Sequence, residues 1–312
     1  MRLPHLTRTQ AGRLFLLATA TGWGLNWPVL KLVLQDWPPL FARGVAGLIA
    51  ASGLGLLAYG RGERLTVPRA LFGRLGLAAA INVFAWMGFT GLSLRWLTVP
   101  EGALLAYSMP VWAVLLAWVL RGERPDQRGF AALALGILGI CVLVDGTGTG
   151  LILRKAPGIA LALAAAILFA LGTILERRPI GLPPIALTAW QVGLGCLAMT
   201  LISLFTEASD IKGLSLPSLA GISYMAIGPL ALCYLSWQAA LRRLPTSMAT
   251  TGMLLVPIIG TAAAALVLHE TIGSRQMLAF VLTLSGVGLA LQRKVVLTSP
   301  TACASSSAGL VR

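Results

Sequence analysis

For acid–base, thiol and metal chemistry the 312-residue chain offers two histidines, ten carboxylates and four cysteines. Their spacing supports none of the three. His5 and His269 lie at opposite ends of the sequence, and the acids, Asp36, Glu63, Glu101, Glu123, Asp126, Asp145, Glu176, Glu207, Asp210 and Glu270, all fall at or near the ends of apolar stretches. Cys141, Cys196 and Cys233 are inside apolar runs and Cys303 is in a Ser- and Ala-rich tail, with neither a disulfide framework nor metal-ligand spacing. Nucleophilic catalysis needs an activated nucleophile, and proton transfer needs a matched acid and base. No Walker, HExxH or GxSxG pattern supplies them. No catalytic residue, metal or cofactor is assigned.

The apolar stretches do contain a sparse set of residues suited to holding a small molecule. Asn26 and Asn82 each sit about halfway along a stretch, with Trp23 and Trp27 a turn apart beside the first and Trp86 a turn after the second. A buried amide needs a partner, which is either a neighbouring helix, worth about 1 kcal/mol, or a ligand. Trp86 and Tyr107 are too deep for a headgroup belt, which suits Trp37, Trp96 and Trp237. Ser108 and Met109, next to Pro110, join the candidates for solute contact, as do Gln191, Tyr234, Gln238 and Thr251 from the second half. Pro110 and Pro257 lack an amide, so the carbonyls of Ala106 and Met253 are expected to be freed at depth. Arg43 is expected either to snorkel outward, pairing with Asp36, or to bind a solute carboxylate. For proton coupling the stand-ins are Glu101, Glu176 and His269, none of them in mid-stretch. Facilitated diffusion, exchange or coupling through the solute's own charge is therefore expected.

The elements that must position these residues follow from composition. Only 11% of residues are charged and 57% are hydrophobic, too little polar surface for a water-facing globule. Ten continuously apolar windows occur near 13–34, 39–59, 74–94, 101–120, 128–145, 157–176, 184–205, 217–238, 247–268 and 275–293. Each is long enough to cross a hydrocarbon core of about 30 Å as a helix, and none alternates as a barrel strand would. The fold class is an all-α integral membrane protein. Most of the 24 Lys and Arg residues fall on the side of both termini, which predicts cytoplasmic ends. The net charge of +14 forms no basic face, so nucleic acid is not a partner; lipids and a small solute are.

An internal repeat organises the ten windows. A shift of 147 residues superimposes Leu94 on Leu241, Arg95 on Arg242, Leu97 on Leu244, Pro110 on Pro257, Glu123 on Glu270, Arg128 on Arg275 and Gly139 on Gly286. Pro38-Pro39 likewise has a counterpart in Pro183-Pro184. Five spans per half is an odd number, so equivalent helices run in opposite directions. Two inverted five-helix repeats place a solute site near the midplane, at their interface. The expected boundaries are a cytoplasmic tail 1–12, repeats 13–145 and 157–293, an extracytoplasmic linker 146–156 and a disordered tail 294–312. Small-residue pairs such as Gly136 with Gly139 permit close helix approach without fixing an oligomeric state.

The segments GWGLNWPVLK at 22–31, PPLFARGVAG at 38–47, EGALLAYSMPVWAVLLAWVLRGERPDQRGF at 101–130 and its echo TGMLLVPIIGTAAAALVLHE at 251–270 resemble the EamA-type transporters of the drug/metabolite transporter superfamily. The second copy departs by carrying His269 where Gly122 stands in the first. The resemblance implies an inner-membrane carrier of amino acids or other small amphipathic metabolites, often an exporter, and names no ligand. The alternatives are a flippase for a lipid or lipid-linked sugar and a membrane-embedded transferase, for which no loop is large enough to host a catalytic domain.

Overall fold

Proline punctuates the chain where helices must start. The computed structural model describes residues 7–145, 148–175 and 180–291, and these form ten helical spans. They are α1 (Arg8–Val33), α2 (Pro39–Gly60), α3 (Arg69–Ser93), α4 (Val99–Arg121), α5 (Gln127–Asp145), α6 (Gly148–Leu175), α7 (Pro184–Thr206), α8 (Leu216–Leu241), α9 (Thr246–Gly252 continued by Leu255–Val267) and α10 (Ser274–Leu291). Among the described residues no strand occurs. Nine of the ten are long and apolar enough by composition to cross a membrane, and α1 is the exception. Large apolar side chains such as Leu56, Tyr59, Phe205 and Leu266 point outward, as lipid as solvent requires.

Helix starts follow local chemistry. Thr7 with Gln10 and Thr98 with Glu101 form capping boxes at α1 and α4, while α2 and α7 begin at Pro39 and Pro184, where the missing amide costs nothing. Of the stretch 146–156 expected as a linker, residues 148–156 are helical and form the start of α6, which runs through Pro157, while 146–147 lie outside the described residues. Residues 1–6 and the tail beyond Leu291 lie outside the described residues.

The repeat is visible in how equivalent helices meet. The two most extensive pairings are α2 with α7 and α5 with α10. After α2, Glu63 accepts the Ala186 amide at the start of α7 (2.9 Å); after α7, Glu207 accepts the Leu40 amide at the start of α2 (3.2 Å). Each helix caps the other, so the pair is antiparallel. Similarly, α1 packs on α8 and α9 of the second half, as α6 packs on α3 and α4 of the first. Both α4 and α9 end in the same motif: the amides of Glu123 and Glu270 reach back to the carbonyls of Ala117 and Ala264, each at 3.4 Å. Gly122 and His269 stand at the matching position, and both are left-handed, with φ of 68° and 53°. His269 therefore occupies a conformation that glycine adopts without strain.

Glycines fix how closely the crossings approach. A Cβ on Gly47 would lie 2.0 Å from Cys196 Sγ, and one on Gly286 would lie 2.8 Å from both the Ala132 carbonyl and the Gly136 amide. Four spans are irregular in repeat-related pairs. The hydrogen-bond ladder of α3 widens to a π-helix over Ala79–Phe89, and that of α8 over Gly228–Leu232. Meanwhile α4 breaks at Tyr107-Ser108 and α9 at Met253-Leu254.

Candidate functional site

The irregular helices enclose a cavity of about 450 Å³ where the two halves meet. Its volume suits a small metabolite. Trp23, Asn26 and Trp27 come from α1, Arg43 from α2, Trp86, Met87 and Thr90 from α3, and Tyr107, Met109 and Pro110 from α4. The second half contributes Phe169 and Thr173 of α6, Pro229, Leu230, Tyr234 and Trp237 of α8, Thr250, Met253 and Leu254 of α9, and Val287 and Leu291 of α10. Trp86 occupies the π-helical stretch of α3, Tyr107 lies within the break in α4 and Met109 directly follows it, so departures from the regular helix aim these side chains inward.

The walls are aromatic and internally braced. Trp86 meets Tyr107 edge-on at 5.8 Å and Phe169 at 5.0 Å, while Trp23 meets Tyr234 edge-on at 5.5 Å. Trp23 donates its indole N–H to the Pro229 carbonyl at 2.9 Å, which satisfies that polar atom and ties α1 to α8. Thr90 turns its hydroxyl back to the Trp86 carbonyl at 2.6 Å. Two of the buried side-chain polar atoms that lack a partner among the described residues belong to the cavity wall: Asn26 Oδ1 and Arg43 Nε.

Several expected contacts lie elsewhere. Asn82 packs against Gly172 of α6 in a separate hollow with Arg74, so it serves the α3–α6 contact. Ser108 is fully buried, its hydroxyl donating to the Leu105 carbonyl (2.6 Å) and accepting from the Trp112 indole (3.0 Å). Gln191, Gln238, Thr251 and Pro257 are not in the cavity wall. Pro257 does not leave the Met253 carbonyl free, because the Val256 amide takes it at 3.0 Å in a tighter turn. Arg43 does not snorkel: it is 4% exposed and faces the cavity, while Asp36 binds Ser215. The two Ser215 donors and Ser218 hold the Asp36 carboxyl down to about 2. Trp237, expected in the headgroup belt, also lines the cavity.

Sequence reasoning missed Met87, Thr90, Phe169, Thr173, Leu230, Thr250 and the α10 residues, which are small or apolar and carry no signal in an apolar helix. The Gly228-Pro229 pair did carry one, since a proline in mid-span breaks the ladder.

The two ends of the cavity differ. At the end opposite the termini, Lys155 pairs with Glu101 at 2.6 Å, Lys31 donates to the Leu97 carbonyl at 2.8 Å, Arg95 pairs with Glu207 at 2.8 Å, and Glu270 accepts the Val99 amide at 2.9 Å. These contacts bridge helix ends on that side, and they place Glu101 in a cap and an ion pair outside the cavity. Glu176 lies outside the described residues. Toward the end that carries both termini, the wall runs out through Thr173, Trp237, Thr250 and Leu291.

The profile of the EamA-like transporter family matches residues 10–145 and again 156–292. The chain belongs to this family. Both matches coincide with the two helical halves, and an EamA-like chain of this kind is a multi-pass membrane transporter, not an enzyme. Among similar proteins is the "Probable amino-acid metabolite efflux pump" of Salmonella typhimurium, 29% identical, with 85% of this chain and 89% of the relative covered. Another is the "Probable terminal-alkyne amino-acid exporter" of Streptantibioticus cattleyicolor, 28% identical over 88% of this chain and 91% of its own. A crystal structure with 18% identity shares the fold at a TM-score of 0.63, covering 91% of this chain and 96% of that one.

Proposed function

We propose that the protein exports a small amphipathic metabolite related to amino acids across the inner membrane, with both termini in the cytoplasm, by exposing its central cavity alternately to the two sides. The observation that carries the reading is an aromatic cavity at the junction of inverted halves, with helix ends bridged on one side and the wall running out to the other. With the termini cytoplasmic, that geometry is the loading state of an exporter.

The unequal ends support alternation. Glu270 latches onto the first turn of α4, whereas its repeat equivalent Glu123 lies exposed beside Arg121 at 3.7 Å. In an inverted repeat the opposite state is reached when the halves exchange these roles. The names of the relatives, an amino-acid metabolite efflux pump and an amino-acid exporter, support the solute class and the direction.

The test compares extracellular and intracellular metabolites in cells expressing wild type or equally abundant Trp86→Ala protein. One or a few amino-acid-like solutes enriched outside only with wild type is the expected result. Enrichment inside the wild-type cells would overturn the direction.

A further inference from the structure

The cavity holds a positive charge that no group among the described residues answers. Arg43 is almost wholly buried, its Nε has no hydrogen-bond partner, and among the described residues no ion pair involves it and no carboxylate lines the cavity. Arginine keeps its proton under all ordinary conditions, so it cannot escape the cost of burial by becoming neutral.

The surrounding backbone is shaped to keep the guanidinium there. A Cβ on Gly91 of α3 would lie 3.3 Å from Arg43 Nε, so that glycine leaves the space the head occupies. The next residue, Gly44, brings α2 against α7 so closely that a Cβ would lie 2.9 Å from the Thr200 amide. Gly44 thus sets how closely α2 and α7 approach beside Arg43. In the same cavity the orphaned Asn26 Oδ1 is an acceptor that lacks a donor.

Resting on the carrier reading, we propose that Arg43 receives the carboxylate of the transported solute, that Asn26 Oδ1 accepts an N–H from the same molecule, and that the aromatic walls take its apolar body. The solute class is then an amphipathic monocarboxylate bearing an N–H donor, an amino acid or N-substituted amino acid with a large side chain. Organic cations and sugars leave the guanidinium unanswered and are rejected. Charge-assisted bonds to a paired carboxylate predict a preference of about 10- to 100-fold over a ligand without one.

The experiment titrates the full-length protein in lipid nanodiscs with L-phenylalanine, 3-phenylpropanoate and L-phenylalaninamide, following the fluorescence of the cavity tryptophans. Both carboxylates should bind at least tenfold more tightly than the amide. Arg43→Gln should abolish that discrimination, Arg43→Lys should keep part of it, and Asn26→Leu should erase the preference for L-phenylalanine over 3-phenylpropanoate. A thermal melt close to wild type qualifies each variant. An amide that binds wild type as tightly as the carboxylates, or discrimination that survives Arg43→Gln, refutes the assignment alone. Wild type that binds none of the three, and moves no labelled L-phenylalanine in sealed vesicles, refutes the carrier reading for this solute class and the assignment with it.

Discussion

Replacing Gly286 by alanine isolates the closeness of the α5–α10 crossing from every other effect of the mutation. The added Cβ would stand 2.8 Å from the Ala132 carbonyl oxygen and 2.8 Å from the Gly136 nitrogen. Both are backbone atoms, so no rotamer change relieves the overlap and the helices must separate by several tenths of an ångström along their packed length. Overpacking of this kind costs about 1–3 kcal/mol. Exchanging glycine for alanine within a helix returns about 0.5–1 kcal/mol, which leaves Gly286→Ala with a net cost of up to about 2.5 kcal/mol. Gly288, two residues on in the same helix, supplies the control: the nearest atom to its added Cβ is Leu254 Cδ1 at 3.8 Å, an ordinary contact. Gly288→Ala keeps the helical gain without the clash. In detergent thermal unfolding monitored by loss of the folded, monodisperse fraction, the two variants should separate by at least about 2 °C, at about 2–4 °C per kcal/mol for the clash alone, with Gly286→Ala the lower. Equal midpoints, or the reverse order, would refute the claim that backbone proximity sets this crossing.

The left-handed helix ends give opposite expectations for two matching positions: His269→Gly should stabilise and Gly122→Ala destabilise, each by about 1 kcal/mol in the same melt. Glu101→Gln preserves the capping box but leaves Lys155 unpaired in a mostly buried setting, so it should lower stability by about 1–3 kcal/mol, and adding Lys155→Met should recover most of the loss. The Glu270 carboxyl is held above its ordinary value of 4.5, chiefly because partial burial disfavours its charge, with the Val99 amide opposing. The folded protein thus keeps this proton where the unfolded chain releases it, and stability from this group grows as pH falls from above the raised value toward 4.5. Glu270→Gln should flatten that slope in melts across the weakly acidic range.

Where the sequence was informative, it was because a residue type had few uses. Ten apolar windows can only be spans, and a shift that matches Pro110 with Pro257 and Glu123 with Glu270 marks a repeat, so the fold was legible before any geometry. Trp86 and Tyr107, too deep for a headgroup belt, were open between cavity lining and pairing with a neighbouring helix, and the structure places both in the cavity wall. Arg43 was misjudged because distance along the helix was taken for depth: five residues from the end seemed near enough to escape. The Gly91 space that its head occupies and the α2–α7 crossing beside it are tertiary facts. Asn82 and Ser108 share the composition of site residues, but the face each presents depends on the helix phase, and the π-helical stretch of α3 and the break in α4 shift that phase in ways no periodic pattern encodes.

The placement of α1 bears on how the protein is made. This helix is the least suited of the ten to enter lipid alone, and its partners are α8 and α9: Gly24 packs against Val256 and Ile259, encoded more than 230 residues later. At about 5–20 residues per second, synthesis leaves the first helix without them for about 10–50 s. Its tryptophans, asparagine and lysine must be accommodated through that interval by lipid interface, by the insertion machinery or by provisional neighbours from the first half. The cavity wall is thus complete only once α10 has been synthesised, and α1 is without its main partners for most of that time.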